Sequence, residues 1–286
     1  MSQVKKYLSM VKFSHSIFAM PFAILGFFLG IKLNNLVFDY SILIYIVLAM
    51  VFARNAAMGF NRYLDRNIDK INPRTAQREV ASGIISSKNA LAFVIINSIL
   101  FIIVSGMINM LTLFLSPVAL LVVLGYSYTK RFTSLCHLIL GLGLALAPIG
   151  AYLSVTGEFN NIIPIVFSFI VLFWTAGFDI IYALQDESFD KTNELHSIPS
   201  VLGKKRALLV SRLFHLLAVL LVLLNGYLLG SNYWYWIASG FFVGLLFSQH
   251  RIIKPNDLSK INLAFFTLNG VASIIFATLV IVSLYK

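Results

Sequence analysis

Runs of about twenty apolar residues, separated only by short charged or turn-forming stretches, constrain this chain more than any other feature. A bilayer core of roughly 30 Å is crossed by about 20 apolar residues in a helix. Segments of that length run approximately over 16–33, 40–60, 90–108, 110–128, 136–155, 162–182, 206–230, 234–250 and 263–284. Only Asn109 and a few small residues divide the third from the fourth, so eight spans are the alternative to nine. Composition agrees: 59% of residues are hydrophobic and 12% charged, where soluble domains carry about a quarter charged. A strand barrel needs alternating segments of about ten residues, and "LCHLILGLGLALAP" does not alternate. The expectation is an all-α membrane protein, a bundle of nine transmembrane helices around a central cavity, forming one domain over 1–286. The first run lacks a small-x-small cleavage pattern and leads into further spans, so it is expected to stay in the mature chain. The single Cys136 excludes an internal disulfide.

A net charge of +11 invites a nucleic-acid reading, but the distribution of charge argues against one. With the N-terminus in the cytoplasm, the inner segments hold Lys5, Lys6, Lys12, the six basic residues from Arg62 to Lys88, Lys130, Arg131, Lys191, Lys204, Lys205, Arg206, Lys254 and Lys260, while the outer side holds only Lys32 and Lys286. This bias predicts N-in and C-out, with affinity for anionic headgroups of the lipid bilayer and no nucleic-acid partner. Residues 1–13 read as an interfacial helix with Val4, Leu8 and Val11 on one face.

Acids are scarcer, and eight of the 11 (Asp65, Asp69, Glu79, Asp179, Asp186, Glu187, Asp190, Glu194) fall in two segments. Both segments share a spacing, Asn61-x3-Asp65-x3-Asp69 and Tyr182-x3-Asp186-x3-Asp190. Positions i, i+4 and i+8 form one helical stripe, so each segment can aim its carboxylates at one point, and two stripes can face each other across a cavity mouth. The offset of 121 residues between Asp65 and Asp186 is nearly matched by 120 between Arg131 and Arg251. This fits duplication of a four-span unit, and equally a charge bias acting alone at those ends.

Clustered carboxylates repel unless neutralised. Oxygen-only donors point to Mg2+ or Mn2+ rather than zinc, and magnesium binds through one or two carboxylates plus substrate phosphates. Arg74, Arg78 and Lys130 lie beside the stripes, suited to phosphate oxygens.

The stretches "NRYLDRNIDKINPRTAQREV", "YSYTKRFT" and "DIIYALQDESFDKTNELHSIPSVLGKKRA" closely resemble the UbiA-type intramembrane prenyltransferases. The resemblance covers nearly the whole chain, including "FSHSIFAMPFA" and "LGLALAPIGAYLSVTG". It implies a lipid-accessible central cavity, a magnesium-bound polyprenyl diphosphate donor and an aromatic acid acceptor, 4-hydroxybenzoate or a dihydroxynaphthoate, in ubiquinone or menaquinone biosynthesis at a bacterial inner membrane, while the charge bias puts the site at the cytoplasmic face. By matching motif it puts Asn61, Asp65, Asp69, Asp186 and Asp190 on magnesium–diphosphate and Arg74, Arg78, Tyr126 and Lys130 on the phosphates. Other prenylations of the family, of the haem, chlorophyll or tocopherol type, are alternatives.

Arg54 lies inside the second span, two turns before Asn61 on nearly the same face. A guanidinium there is costly without an anion; it reads as a clamp for an aromatic carboxylate or a diphosphate oxygen, or as the ion-pair partner of Asp179. Asp179, seven residues before Asp186, reads as a group that orients the acceptor hydroxyl or takes its proton, or as that partner. The histidines are scattered, and only His15 and His196 fall in family-like stretches. A secondary transporter is the rival from another class, but its midplane broken helices have no counterpart in acids crowded at one face.

Overall fold

The computed structural model describes residues 3–11 and 18–286; His15 and Lys12 lie outside them. Among the described residues the chain is helical and contains no strand. The helices are α1 (Gln3–Met10), α2 (Met20–Asn34), α3 (Tyr40–Leu64), α4 (Arg66–Ile71), α5 (Ser87–Ile108), α6 (Met110–Thr129), α7 (Cys136–Thr156), α8 (Ile163–Ala183), α9 (Glu187–Thr192), α10 (Ile198–Leu228), α11 (Tyr233–Ile252) and α12 (Asn269–Tyr285). A 3-10 turn, Leu184–Asp186, joins α8 to α9, and a π-helical stretch, Leu263–Leu268, leads into α12. Seven of the helical segments are long and apolar enough to cross a membrane; α2, with 15 residues, is shorter, and α11 is not among the seven.

Local chemistry accounts for the helix boundaries. Asn109 separates α5 from α6, and its side chain accepts from the Thr112 amide as an N-cap; an Asn oxygen in that position satisfies one of the donors a helix start leaves unpaired. Helix α10 begins at Ile198, well before the apolar run at 206, because Ser197 and Ser200 form a capping box. Gly203 then interrupts it at φ 75°, a left-handed conformation open to glycine. Met10 at the end of α1 and Val11 just beyond it are buried against Val80, Ile85 and Ala90, while Leu8 is exposed. Of the Val4–Leu8–Val11 face, the Val4 side chain lies outside those described, Leu8 is exposed and Val11 packs on the loop after α4.

Lipid tails are as apolar as leucine, so helices in a bilayer associate through close packing and hydrogen bonds. Helix α2 packs on α7, α7 on α8, α8 on α10, and α3 on α5. A Cβ at Gly26 would overlap the Pro148 carbonyl, which shows how closely α2 and α7 approach. Phe22, Tyr152, Trp174, Phe242 and Phe276 fill the largest core. Buried polar groups bond across helices: Trp174 Nε1 donates to Asn269 Oδ1 at 3.1 Å, and Ser211 Oγ to the Gly177 carbonyl at 2.7 Å.

Candidate active site

Helix α3 ends at Asp65 and α8, ending at Ala183, continues through the 3-10 turn to Asp186; each then turns into a six-residue helix carrying a second aspartate, Asp69 on α4 and Asp190 on α9. The two ends face each other, because the loop after α4 reaches across. Arg74 holds Asp186 through two parallel bonds, Nε to Oδ1 at 2.8 Å and Nη2 to Oδ2 at 2.6 Å, and its Nη1 donates to the Tyr182 hydroxyl at 3.3 Å. Asn72 Nδ2 also donates to Asp186 Oδ1 at 3.5 Å.

The acids do not converge on one point. Each is paired with its own cation: Asp65 with Arg131 at 2.8 Å, Asp69 with Arg78 at 2.7 Å, Asp186 with Arg74 and Asp190 with Lys130 at 2.6 Å. Among the described residues no group of three or more acids, histidines or cysteines is drawn together tightly enough to hold a metal ion as it stands. Carboxylates taken partly out of water need neutralising partners, and the loop arginines supply them. Burial pushes the Asp65 carboxyl above its ordinary range, against the pull of Arg131. The donor set nonetheless fits a hard divalent cation. Its oxygens are carboxylate oxygens, and Asp69 Oδ2 is buried with no donor at all, an acceptor awaiting a partner.

Asn61 Nδ2 donates to Asp65 Oδ2 at 2.9 Å, and Arg62 Nη1 donates to Asn61 Oδ1 at 3.0 Å, which orients the Asn61 amide. In the sequence Arg62 stands only as a topology charge, and Arg131 as a topology charge beside Lys130 that repeats at Arg251. Nor does Arg251 play toward Asp186 the part that Arg131 plays toward Asp65, since Arg74 takes that role and, among the described residues, Arg251 forms no ion pair.

Beneath the acids lies a cavity of about 410 Å³, walled by apolar residues of α2, α3, α5, α6 and α7. Arg54 and Tyr126 line it. Tyr126 is within electrostatic reach of Arg62, Asp65 and Asp179 and so ties the cavity to the acid segments. Asp179 does not pair with Arg54. Its Oδ2 meets His137 Nδ1 at 2.7 Å: α7 packs on α8 and carries His137 to Asp179. The His196 side chain is exposed, and its backbone N–H donates to the Lys130 carbonyl at 2.7 Å.

A helical membrane bundle with an apolar cavity, capped by facing acids and the cations that pair with them, defines an intramembrane enzyme for a lipid with an anionic head. The comparisons with known proteins narrow that class. Residues 19–271 match the UbiA prenyltransferase family, and the chain belongs to it. It is 31% identical over 251 residues to the 4-hydroxybenzoate octaprenyltransferase of Aliivibrio fischeri (strain MJ11), covering 87% of this chain and 86% of that one. The enzyme of the same name from Nitrosomonas eutropha is 30% identical, covering 84% and 83%. The apo structure of a UbiA homologue from Aeropyrum pernix K1 superposes with a TM-score of 0.82 at 30% identity, over 94% of this chain and 97% of that one. A UbiA homologue from Archaeoglobus fulgidus bound to GPP and Mg2+ shares the fold, with a TM-score of 0.75 at 23% identity over 97% and 99%.

Proposed function

We propose that this prenyltransferase moves a polyprenyl group from its diphosphate to an aromatic acid and releases diphosphate, as a step in quinone biosynthesis. The observation that carries the reading is the pair of facing aspartate segments, each laced with cations, above an apolar cavity that holds one guanidinium, Arg54. The names of the relatives favour 4-hydroxybenzoate as acceptor over the haem, chlorophyll or tocopherol types.

In this reading Asp65, Asp69, Asp186 and Asp190, with Asn61, would hold magnesium, or manganese in its place. Bound there, the metal supplies charge neutralisation of the leaving diphosphate. Arg74, Arg78 and Lys130 exchange their carboxylate partners for phosphate oxygens, because guanidinium and ammonium groups bond both. Tyr126 and Tyr182 border this anion site. When the allylic C–O bond breaks, the electron pair leaves with the diphosphate, and the apolar walls keep water from the carbocation. The electron-rich ring then captures the cation and, to restore its aromaticity, loses the proton from the carbon attacked, with Arg54 on its carboxylate and Asp179 on its hydroxyl. The prenyl tail occupies the cavity and the surrounding lipid.

We further propose that α2 and α11 cross the bilayer with the seven longer segments, for nine spans with N-in and C-out, and that the acid segments face the cytoplasm of a bacterial inner membrane. The whole chain 1–286 is then one domain built from a duplicated four-span unit. The charge bias supports the orientation, and the like turns of α3–α4 and α8–α9 support the duplication. In a Cys136→Ser background, Ser82→Cys and Thr192→Cys should react with an impermeant thiol reagent from the inner side only; outer labelling of either overturns the orientation. For the activity, membranes containing the protein are incubated with a polyprenyl diphosphate, magnesium and each candidate acid, and a product heavier than the acid by one prenyl group is expected by mass spectrometry. Absence of any prenylated aromatic acid overturns the reading.

A further inference from the structure

The second acid segment rests on a buried histidine that lies outside the motifs carrying the family resemblance. His137 stands at the start of α7 and is 2% exposed. Its Nε2 lies 3.3 Å from the backbone N–H of Ile198. That amide belongs to the first residue of α10, where the N–H groups have no partner within the helix. An amide hydrogen cannot swing away as a hydroxyl can, so Nε2 has to be the acceptor and the ring proton sits on Nδ1. Nδ1–H therefore donates to Asp179 Oδ2 at 2.7 Å. One turn along α7, a Cβ on Gly141 would press on the Leu172 carbonyl at 2.5 Å, so α7 and α8 are locked at close approach beside this bond.

Asp179 is left one-sided by this arrangement. Its other oxygen accepts from no described residue, and the side chain keeps 21% of its surface exposed. It lies two turns below Asp186 on α8, within electrostatic reach of Tyr126, which shares the cavity wall with Arg54. A carboxylate inside a membrane bundle, held from behind and open in front, is matched to a substrate hydrogen-bond donor.

We propose that His137 is a positioning residue for prenyl transfer: through Nδ1–H it holds Asp179 so that the free oxygen accepts a hydrogen bond from the hydroxyl of the aromatic acceptor. This rests on the aromatic-acid reading above. Asp179 is the group that touches substrate, and His137 acts through it. The logic is that of a second group fixing tautomer and aim for the first.

The test uses the full-length protein in lipid nanodiscs with magnesium, geranyl diphosphate and 4-hydroxybenzoate, and reads kcat and KM for each substrate together with the ratio of diphosphate released to prenylated product. His137→Phe removes the donor. It should lower kcat/KM for the aromatic acid by about tenfold or more while KM for the prenyl diphosphate stays within about twofold, and diphosphate release should outrun product. His137→Asn places an amide N–H near the position of Nδ1 and should recover most of the loss. Equal losses for both substrates, unchanged coupling in His137→Phe, or no recovery in His137→Asn would overturn the proposal. If His137→Phe does not fold, Asp179→Asn carries the same test, since the amide oxygen still accepts from His137 but the charge facing the acceptor is gone; an unaltered acceptor KM there overturns it as well. A wild-type protein that prenylates no aromatic acid defeats the functional reading itself, whereas an active wild type with an indifferent His137→Phe defeats only this inference.

Discussion

The α3–α4 and α8–α9 ends carry the same acid spacing, and each acid takes a cation, yet only Asp190 is also held by a donor built into a helix start. Asp65 and Asp69 are held by the loop cations Arg131 and Arg78, 29% and 24% exposed, with Asn61 adding a donor to Asp65, and Asp186 and Asp190 by Arg74 and Lys130, 32% and 36% exposed. In the second segment Asp190 is fully buried, taking Lys130 on one oxygen and Ser197 Oγ on the other at 2.9 Å. Asp186 has both oxygens filled by Arg74. Asp69 Oδ2 in the first segment is buried without a donor, and Asp190 Oδ1 in the second is met by the Lys130 ammonium alone. Short donors built into a helix start are preorganised and lose little entropy on bonding, whereas arginine stems are long and can be re-aimed. Through Asp190 and Ser197 the second segment is the more fixed half, and the first, with Asp69 Oδ2 open, is the half we propose accommodates an incoming metal and diphosphate.

The largest effects should come from removing charge on either half. Asp69→Asn and Asp186→Asn are each expected to lower transfer by roughly a hundredfold or more, and chelation of divalent cations should do the same to the wild type. Manganese titrated by electron paramagnetic resonance, with inorganic diphosphate present, sharpens the comparison. Asp69→Asn should weaken binding by about tenfold or more, while Asn61→Ala should weaken it less. Equal manganese affinity in wild type and Asp69→Asn would remove the first segment from the metal site.

An intermediate effect is expected below the acids, where the comparison extends inward. Arg54 lies two turns under Asn61 and Asp179 two turns under Asp186, but Arg54 lines the cavity whereas Asp179 is anchored to His137. Arg54→Lys keeps the charge and loses the fork that matches a carboxylate. It should raise KM for the aromatic acid about thirtyfold, equivalent to about 2 kcal/mol, with little change for the prenyl diphosphate. A parallel rise for both substrates would move Arg54 onto the diphosphate.

The smallest effect concerns stability, and it asks whether the second half is the stiffer one. Ser197→Ala deletes a buried bond to Asp190 and the α10 cap together, which should cost about 2 kcal/mol and lower Tm by a few degrees. Asn61→Ala should shift Tm less, because Arg131 still holds Asp65. A larger fall for Asn61→Ala would reverse the assignment of fixed and adaptable halves.

The sequence made the acids legible because i, i+4 spacing on a helix end is local, and the cations Arg74, Arg78 and Lys130 because they sit beside those stripes. It did not reveal which cation takes which acid. Arg131 reaches Asp65 across 66 residues and Arg74 reaches Asp186 across 112. His137 looked like one scattered histidine, since its two partners lie 42 and 61 residues away.

By itself, then, the chain determined its solvent, its helical class, its family and the acids of its candidate site, because apolar length, charge bias and motif spacing are properties of neighbouring residues. The tertiary structure decided the arrangement: four acids shared among four cations, Arg54 set on the cavity wall and Asp179 bonded to His137. Those choices depend on how closely α7 meets α8 and on where α10 begins in space, and close packing between distant helices is set by the whole bundle rather than by any one segment.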